Sequence, residues 1–263
     1  MPTYRKLPLQ AFVMSCLVAG WGLVYAGKVK WALRVALFLY AGIILLGVCG
    51  LIATPRGLLV LASFVVLVKL CSATAAALSV YRDNGTAPSR SKRFHLLYVG
   101  TLIVITGLIM VPFRTALLGY ANYYIPSGSM VPTLQIGDYV VSDLRPGAPK
   151  VGDIVVYRYN GIEAVKRVAA LPGDRLEIVE GHVLRNGENL GYFFAPADRV
   201  KKPYSLTLEP LQVQAGHVYL LGDNRDSSND SRFMGQVPLD DLRGRVTGIW
   251  FSNVRNRIGT LFK

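Results

Sequence analysis

The pattern of hydrophobic and polar residues divides the chain near residue 120. Before that point, long apolar stretches alternate with short basic loops; the stretches are residues 7–26, 31–54, 58–80 and 96–120. Each is long enough for a helix that crosses ~30 Å of hydrocarbon, which needs about 20 residues. The first stretch contains Pro8, Gln10, Gly20 and Gly22, and three more apolar stretches follow it, unlike a cleaved export signal. We expect three membrane spans, or four if the first stretch also crosses.

Beyond residue 120, short runs typical of β-strands replace the long apolar stretches. They are residues 138–142, 153–158, 164–170, 175–180, 217–221 and 245–251, separated by Gly, Pro and Asp. Glu180-Gly181 and Asn186-Gly187 are typical of two-residue hairpin turns, and residues 191–205 are predicted to form a loop. The sequence therefore predicts an N-terminal α-helical transmembrane region, residues 1–120, followed by an all-β domain, residues 121–263.

Composition and charge support a membrane protein. Hydrophobic residues make up 52% of the chain, charged residues 17%, and the mean hydropathy is +0.36, which excludes an ordinary soluble or disordered protein. The net charge is +13, yet residues 1–120 hold 12 Lys and Arg against Asp83 alone. The positive-inside rule accounts for this excess without a nucleic-acid partner. Because residues 82–93 are the most basic loop, we expect them in the cytoplasm and the β domain outside it.

Cysteine and histidine positions argue against a disulfide framework or a metal site. Cys16, Cys49 and Cys71 all lie in the apolar half, so the β domain has no cysteine, which leaves its compartment open. That domain has only His182 and His217, with no clustered spacing of metal ligands. We expect no metal or other cofactor.

The first of three polar clusters, residues 125–134, has a composition suited to nucleophilic catalysis. Ser127 and Ser129 flank a glycine, and Pro126 and Pro132 bracket them. Such a loop can present a hydroxyl and backbone N–H groups to one point, as a nucleophile with an oxyanion hole requires. An ordinary Ser-Gly-Ser loop is the alternative.

The second cluster, residues 164–174, places a lysine in a predicted strand. By alternation Lys166 shares a face with Ala164, Val168 and Ala170, and Arg167 points to the other face. An apolar face lowers a lysine pKa, and a shift of about 3 units would make Lys166 a base near neutral pH. A solvated lysine on a strand edge is the alternative.

The third cluster, residues 222–232, is rich in Asp, Asn, Arg and Ser directly after an apolar strand. This density indicates a buried hydrogen-bond network, and a solvated Asx-rich turn is the alternative. Calcium binding of the EF-hand type is disfavoured because the required glycine and terminal glutamate are missing.

Together, in this order and spacing, the three clusters resemble bacterial type I signal peptidases, the membrane-anchored serine proteases that remove signal peptides from exported proteins. The motifs are Ile-Pro-Ser-Gly-Ser-Met-Val-Pro-Thr-Leu from 125, Gly-Asp-Tyr from 137, Gly-Asp-Ile-Val from 152, Lys-Arg-Val from 166, Leu-Pro-Gly-Asp from 171, and Gly-Asp-Asn-Arg-Asp-Ser-Ser-Asn-Asp-Ser-Arg from 222. The resemblance covers residues 121–257 and implies an all-β catalytic domain of the signal-peptidase type.

The resemblance implies a role for each matching residue. Ser129 corresponds to the nucleophile and Lys166 to the general base of a serine-lysine dyad. Ser127 corresponds to the oxyanion-hole serine and Ser228 to the residue that orients the lysine. The supporting residues are Asp230 and Arg232, with Asp223, Asn224 and Arg225 holding the third cluster in place.

The resemblance also implies the substrate and the location. Small residues one and three positions before the cleaved bond enter shallow pockets, for which we expect a lining of Ile125, Pro126, Met130, Leu134 and Val165; Ala164 stands where relatives often have a bulkier side chain. The partners implied are signal peptides of exported preproteins, membrane lipid and the secretion translocon. The extra helices either contact the translocon or only anchor the chain. The location implied is the bacterial cytoplasmic (inner) membrane, multi-pass, with the catalytic domain on the extracytoplasmic face.

A contact between the β domain and the bilayer is a further expectation. Its candidate residues are Trp250, Phe251 and Phe194, near Arg255, Arg257 and Lys263. Core packing of Trp250 beside a solvated basic tail is the alternative.

Three other functions and one other catalytic mechanism share some of these features. A dedicated processing peptidase for a pilin or conjugation precursor has every motif. A non-enzymatic membrane scaffold with a relic protease domain is expected to have lost Ser129, Lys166 or Ser228. A soluble self-cleaving repressor has a DNA-binding domain in place of the apolar stretches. A Ser-His-Asp triad would use His182 or His217, which lie outside all three clusters.

Overall fold

The computed structural model describes residues 6–86, 90–145 and 147–262. They form two compact units, one within residues 1–52 and 56–119 and the other within residues 53–55 and 120–263. Each unit is described by itself below.

The first unit is helical. Its helices are α1 (Pro8–Leu17), α2 (Trp21–Tyr25), α3 (Val29–Val48), α4 (Pro55–Arg82) and α5 (Lys92–Met110). Three of them, α3, α4 and α5, are long and apolar enough to cross a membrane. Small residues such as Ala32, Ala36 and Ala76 let the helices approach closely, and Tyr98 donates a hydrogen bond to the Ala19 carbonyl at 2.9 Å.

The first apolar stretch does not form one helix. It is divided between α1 and α2: Val18, which follows α1, is extended, and Gly20, which precedes α2, has a φ of +77°, a left-handed conformation that glycine adopts without strain. At 1.5 Å per residue, the 10 residues of α1 extend about 15 Å, half of the hydrocarbon thickness.

The last apolar stretch is also shorter as a helix than its composition indicates. We expected residues 96–120 to be continuous, whereas α5 ends at Met110. Pro112 explains the difference, because proline has no N–H to donate and its ring clashes with the preceding turn. One π-helical turn, Arg114–Leu118, follows before the first strand begins at Tyr120.

The second unit consists of two antiparallel sheets. Its strands are β1 (Tyr120–Tyr124), β2 (Tyr139–Asp143), β3 (Ile154–Tyr159), β4 (Ile162–Ala170), β5 (Arg175–Val179), β6 (His182–Arg185), β7 (Glu188–Asn189), β8 (Leu208–Gln212), β9 (His217–Leu221), β10 (Val237–Pro238) and β11 (Leu242–Phe251). Seven form a sheet in the order β1-β2-β11-β3-β4-β9-β10, and four form a sheet in the order β7-β6-β5-β8. Apolar N-terminal helices followed by an antiparallel-sheet domain confirm the predicted fold class.

The second unit contains the predicted strands and turns. All six predicted strands are present, as β2, β3, β4, β5, β9 and β11. Hairpins at Glu180-Gly181 and Asn186-Gly187 join β5 to β6 and β6 to β7. The predicted loop contains no strand, only a 3-10 turn, Ala197–Arg199, and the start of a one-turn helix α6, Pro203–Leu206.

One prediction about β4 is wrong. Ala170 was expected on the same face as Lys166, but a register shift between Val168 and Ala170 interrupts the alternation. Val168 therefore packs in one hydrophobic cluster with Ala164, while Ala170 packs with Ala169 in another. An extra residue in one strand turns all later side chains to the opposite face.

Candidate active site

The first polar cluster lies in the loop that joins β1 to β2. Two backbone hydrogen bonds close its base, from Ile125 N–H to the Asp138 carbonyl at 2.9 Å and from Gly137 N–H to the Ile125 carbonyl at 3.0 Å. Arg257 also forms an ion pair with the buried Asp138 at 2.6 Å and donates to the Thr133 carbonyl. The loop that carries Ser129 is therefore fixed from two sides.

The geometry of Ser129 and Lys166 is that of a nucleophile and its base. Lys166 Nζ on β4 lies 2.8 Å from Ser129 Oγ and 3.0 Å from the Val165 carbonyl oxygen. Nucleophile and base must approach within about 2.6 to 3.2 Å, so the pair meets the requirement. Lys166 is only 5% exposed, whereas Ser129 is partly open to solvent.

Burial changes the acid–base behaviour of Lys166. Loss of solvent around the ammonium lowers its pKa from 10.5 to about 8, although the carboxylates of Asp230 and Asp223 oppose the shift. Desolvation dominates because the charged form of a buried amine is disfavoured. A lysine with a pKa of about 8 is neutral in an appreciable fraction of molecules near neutral pH.

Two hydrogen-bond donors lie beside Ser129 Oγ. The exposed Ser127 hydroxyl lies 3.4 Å from Ser129 Oγ. The backbone N–H of Ser129 donates to no acceptor in residues 6–86, 90–145 or 147–262. A hydroxyl and a free N–H beside the nucleophile have the composition of an oxyanion hole.

The third polar cluster holds the nucleophile loop in place. Asn224 donates from its backbone N–H to the Ser129 carbonyl at 3.0 Å and from its side-chain amide to the Gly128 carbonyl at 2.9 Å. Gly222 packs so closely here that a Cβ would lie 2.1 Å from Ser228 Oγ and 2.7 Å from the Ser129 carbonyl oxygen. This role of Asn224 was not predicted, because no local pattern indicates a contact with Gly128, 96 residues away in the sequence.

Ser228 is placed next to these groups but is not joined to the lysine. Its hydroxyl oxygen is buried and has no hydrogen-bond partner in the part of the chain that the structure describes. Its close neighbour is Gly222. A buried hydroxyl without a partner is uncommon and is a feature of functional sites.

Two buried ion pairs surround the site. Asp230 accepts from Arg232 Nε at 2.8 Å and from Gly222 N–H at 2.8 Å. Arg167 forms a bidentate pair with Asp223, with distances of 2.8 and 2.6 Å, and also donates to the Gly152 carbonyl. These pairs hold the strand after Lys166 and the third cluster together.

Arg225 has the same bracing role. It is fully buried and donates to the carbonyls of Gly222, Tyr192 and Phe193. The third cluster is therefore a buried network rather than a solvated turn.

A small pocket of about 130 Å³ adjoins the dyad. A pocket of that volume has room for one side chain of a substrate. Of the predicted lining, Ile125, Pro126, Met130 and Val165 are present, together with Ala164. Leu134 does not line it and is instead buried in the core beneath.

The other walls of the pocket were not predicted. They are formed by Tyr123, Tyr124, Val156 and Glu163, in addition to Ser127 and the dyad. Tyr123 and Tyr124 belong to β1, which sequence analysis did not identify because the preceding apolar stretch extended into it. Only the pairing of β1 with β2 places these residues at the site.

Neither histidine of the β domain is hydrogen-bonded to Ser129. His182 contacts the Tyr192 ring edge to face, and His217 Nδ1 lies 3.0 Å from the Ala215 carbonyl oxygen. Within the described ranges, no group of three metal-ligating side chains is present.

Exposed aromatic rings continue from the pocket across the neighbouring ends of β1, β2 and β11. Tyr124, which lines the pocket, contacts Tyr139 with ring centroids 5.1 Å apart, and Tyr139 in turn contacts Trp250 and Phe251. We call these four residues the aromatic surface; each is at least 36% exposed. Two other predicted membrane residues have different contacts: Phe194 packs against the Arg167 guanidinium, and Arg257 forms an ion pair with Asp138. The prediction for Lys263 lies outside the described residues.

Sequence comparison with known proteins identifies a family for this chain. The family described as "Signal peptidase, peptidase S26" matches residues 96–251. "Probable signal peptidase I-1" of Synechocystis sp. is 37% identical over 138 residues, which cover 47% of this chain and 67% of the relative. "Signal peptidase I" of Pseudomonas fluorescens is 26% identical over 211 residues, 60% of this chain and 70% of the relative.

One solved structure is also similar to part of this chain. A signal peptidase I from Enterococcus faecalis V583 is 30% identical and covers 38% of this chain and 98% of its own, with a TM-score of 0.35. The family match includes both residues of the Ser129 and Lys166 pair and most of the second unit. This chain therefore belongs to the signal peptidase I family, peptidase S26, and is a hydrolase.

Proposed function

We propose that this protein is a membrane-bound serine endopeptidase that removes N-terminal signal peptides from exported preproteins through a Ser129–Lys166 dyad. The observation that carries the proposal is the 2.8 Å hydrogen bond between a buried lysine of lowered pKa and a solvent-accessible serine. Family membership supplies the general reaction, cleavage of a peptide bond, and the geometry supports the roles of the residues.

In the first half of the reaction, neutral Lys166 takes the proton of the Ser129 hydroxyl as Oγ attacks the scissile carbonyl carbon. The Ser127 hydroxyl and the Ser129 N–H donate to the oxyanion of the tetrahedral intermediate. The lysine ammonium then gives its proton to the leaving amine, the C–N bond breaks, and an ester to Ser129 remains.

In the second half, Lys166 is neutral again and activates a water molecule. The water attacks the ester carbon, its proton goes to Lys166, and the Ser129 oxygen leaves and recovers that proton. The products are the free signal peptide with a new carboxylate and the mature protein with a new amine. Ser228, with its unpartnered hydroxyl, is proposed to orient the lysine through these transfers.

The substrate is proposed to bind as an added strand. β9 pairs with β4 only from Arg167 onward, so the edge of β4 from Ile162 to Lys166 has no strand partner on that side among the described residues. An extended peptide can hydrogen-bond to such an edge, and alternate side chains then point toward the pocket. The small pocket beside Ala164 favours small residues near the cleaved bond.

The three apolar helices are proposed to anchor the chain in the cytoplasmic membrane, with the catalytic domain outside the cytoplasm. Their length and composition support this, and so does the excess of Lys and Arg in residues 82–93. The aromatic surface is proposed to contact the lipid headgroups, where Trp and Tyr are enriched. Whether the helices also meet the secretion translocon stays a prediction.

The proposed function is tested by cleavage of a preprotein that bears a small-x-small site, using the full chain in detergent. We expect cleavage after the second small residue and none by Ser129→Ala, because that variant lacks the nucleophile. If the folded wild-type protein cleaves no such preprotein and does cleave a single pilin or conjugation precursor, it is the dedicated processing peptidase. No cleavage of either kind would indicate a scaffold.

The pH dependence of kcat/KM is expected to follow Lys166. Because the protonated lysine cannot accept the serine proton, the rate should rise about tenfold per pH unit below a midpoint near pH 8 and level off above it. The double variant His182→Gln/His217→Gln is the control and should keep the profile. A midpoint that moves in this variant would contradict the assignment to lysine.

Removal of the aromatic surface is expected to impair cleavage at membranes only. In Trp250→Ser/Phe251→Ser, the KM for a preprotein inserted in vesicles should rise about tenfold, because two half-exposed rings no longer contact lipid. The KM for a short soluble peptide should not change. Val179→Ser removes an equally exposed side chain from the other sheet and serves as control. Equal effects on both substrates would contradict lipid contact.

A further inference from the structure

The helical unit contains a long apolar groove that the peptidase reaction does not use. It lies between α2, α3 and α4 and has a volume of about 810 Å³. Its lining is mainly apolar and includes Leu23, Val35, Phe38, Phe64, Leu67 and Val68. From Phe64 to Ser79, α4 extends about 22 Å along it, which exceeds the ~15 Å of hydrocarbon in one leaflet.

One end of this groove is basic. Lys28, Trp31 and Arg34 lie there, and the Arg34 guanidinium is 4.8 Å from the centre of the Trp31 ring. Lys28 forms an ion pair with Asp83 at 3.2 Å. Asp83 is the single acidic residue of residues 1–120, and Arg34 forms no ion pair within the described residues of the helical unit.

Charge and shape together define the ligand. An acyl chain matches the apolar length, and a phosphate matches a guanidinium that has no ion pair among the described carboxylates. A signal-peptide helix fits the charge poorly, because its positively charged start lies on the same side of the membrane as the basic loops. Basic pockets between membrane helices are known to bind anionic lipid headgroups.

We propose that this groove binds one anionic glycerophospholipid, with an acyl chain along Phe38 and Phe64 and the phosphate on Arg34 and Lys28. The lipid belongs to the leaflet that adjoins the basic loops. This inference rests on the proposed membrane anchoring of the helices. The bound lipid would neutralise the basic end and fill the space between α3 and α4.

The test is native mass spectrometry of the full chain released from detergent with equal amounts of phosphatidylglycerol and phosphatidylcholine of the same acyl chains. We expect the wild type to retain phosphatidylglycerol preferentially. Arg34→Gln should reduce that preference about fivefold, the effect of about one basic residue on anionic lipid. Lys30→Gln, a basic neighbour outside the lining, should keep it. Ala75→Phe, which fills the groove, should reduce retention of both lipids.

A second measurement tests the inference on the wild type, in case Arg34→Gln or Ala75→Phe fails to fold. In vesicles, phosphatidylglycerol brominated on its acyl chain should quench wild-type tryptophan fluorescence more than brominated phosphatidylcholine does. The difference should disappear in Trp31→Phe, which keeps an apolar ring at the site.

Three results would overturn the inference. They are equal retention of the two lipids by the wild type, equal effects of Arg34→Gln and Lys30→Gln, and a lipid-free dimer that Ala75→Phe converts to a monomer. The last would identify a second copy as the occupant. Alkaline carbonate extraction distinguishes failure of the lipid inference from failure of the proposed membrane anchoring. A chain that the carbonate releases from the vesicles is not embedded in the membrane.

Discussion

Lys166→Met is expected to lose peptide-bond cleavage and to be more stable than the wild type. Methionine has similar length and no proton acceptor, so Ser129 keeps its hydroxyl proton and kcat/KM should fall by roughly 10⁴-fold or more. Lys201→Met, in an exposed loop, is the matched control and should keep full activity. Residual cleavage above one per cent would contradict the dyad.

The gain in stability has a direct electrostatic cause. The folded pKa of Lys166 is about 8, below its ordinary value of 10.5, so the charged form is disfavoured in the folded chain. Burial of the Lys166 ammonium therefore lowers the free energy of unfolding by about 3 kcal/mol. This loss is fully present below pH 8 and declines as the pH rises toward 10.5. At pH 7 the thermal midpoint of Lys166→Met should therefore exceed that of the wild type. A lower midpoint would indicate a structural lysine.

Buried neighbours explain why this cost is tolerated. Asp230 and Asp223 raise the pKa of Lys166, but each is itself paired with an arginine, so their attraction only partly offsets desolvation. The ammonium has Ser129 Oγ and the Val165 carbonyl oxygen as acceptors. A site that stabilised the ammonium fully would keep Lys166 protonated near neutral pH and unable to accept a proton, so the partial compensation suits its proposed role as a base.

The strands of the β domain could be predicted from local patterns, and its contacts could not. Alternation and turn residues indicate β2 to β5, β9 and β11, because these signals act within a few residues. The position of Asn224 against Gly128 and Ser129 depends on the order β4-β9 in the sheet. No pattern along the chain encodes that order.

Two features were not predictable from hydrophobic patterns: the position of β1 and the burial of both faces of β4. Hydrophobic composition alone extended the last apolar stretch to residue 120 and concealed β1, whereas Pro112 ends the helix at Met110. Burial also cannot be derived from alternation where both faces of a strand are covered. Lys166 and Arg167 point to opposite faces of β4, and both are 5% exposed. The pocket walls that β1 contributes were not predicted because the last apolar stretch concealed this strand.

The buried ion pair next to the dyad is expected to have the largest effect on stability. Arg167→Met leaves the Asp223 carboxylate, 2% exposed, without its bidentate partner. An unpaired buried charge costs about 3 to 5 kcal/mol, and the thermal midpoint should fall by roughly 10 °C. Arg199→Met breaks an exposed pair with Asp198 at 4.0 Å and should cost less than about 1 kcal/mol.

The double variant Arg167→Met/Asp223→Leu separates the loss of the pair from the exposure of one charge. Because both charges are removed together, most of the stability should return, whereas lost side-chain packing of Arg167 against Phe194 would persist in both variants. The single variant should also shift the midpoint of the pH profile upward, since an unneutralised Asp223 attracts the Lys166 ammonium more strongly. A single variant no less stable than Arg199→Met, with an unchanged profile, would show that Asp223 is compensated by other groups.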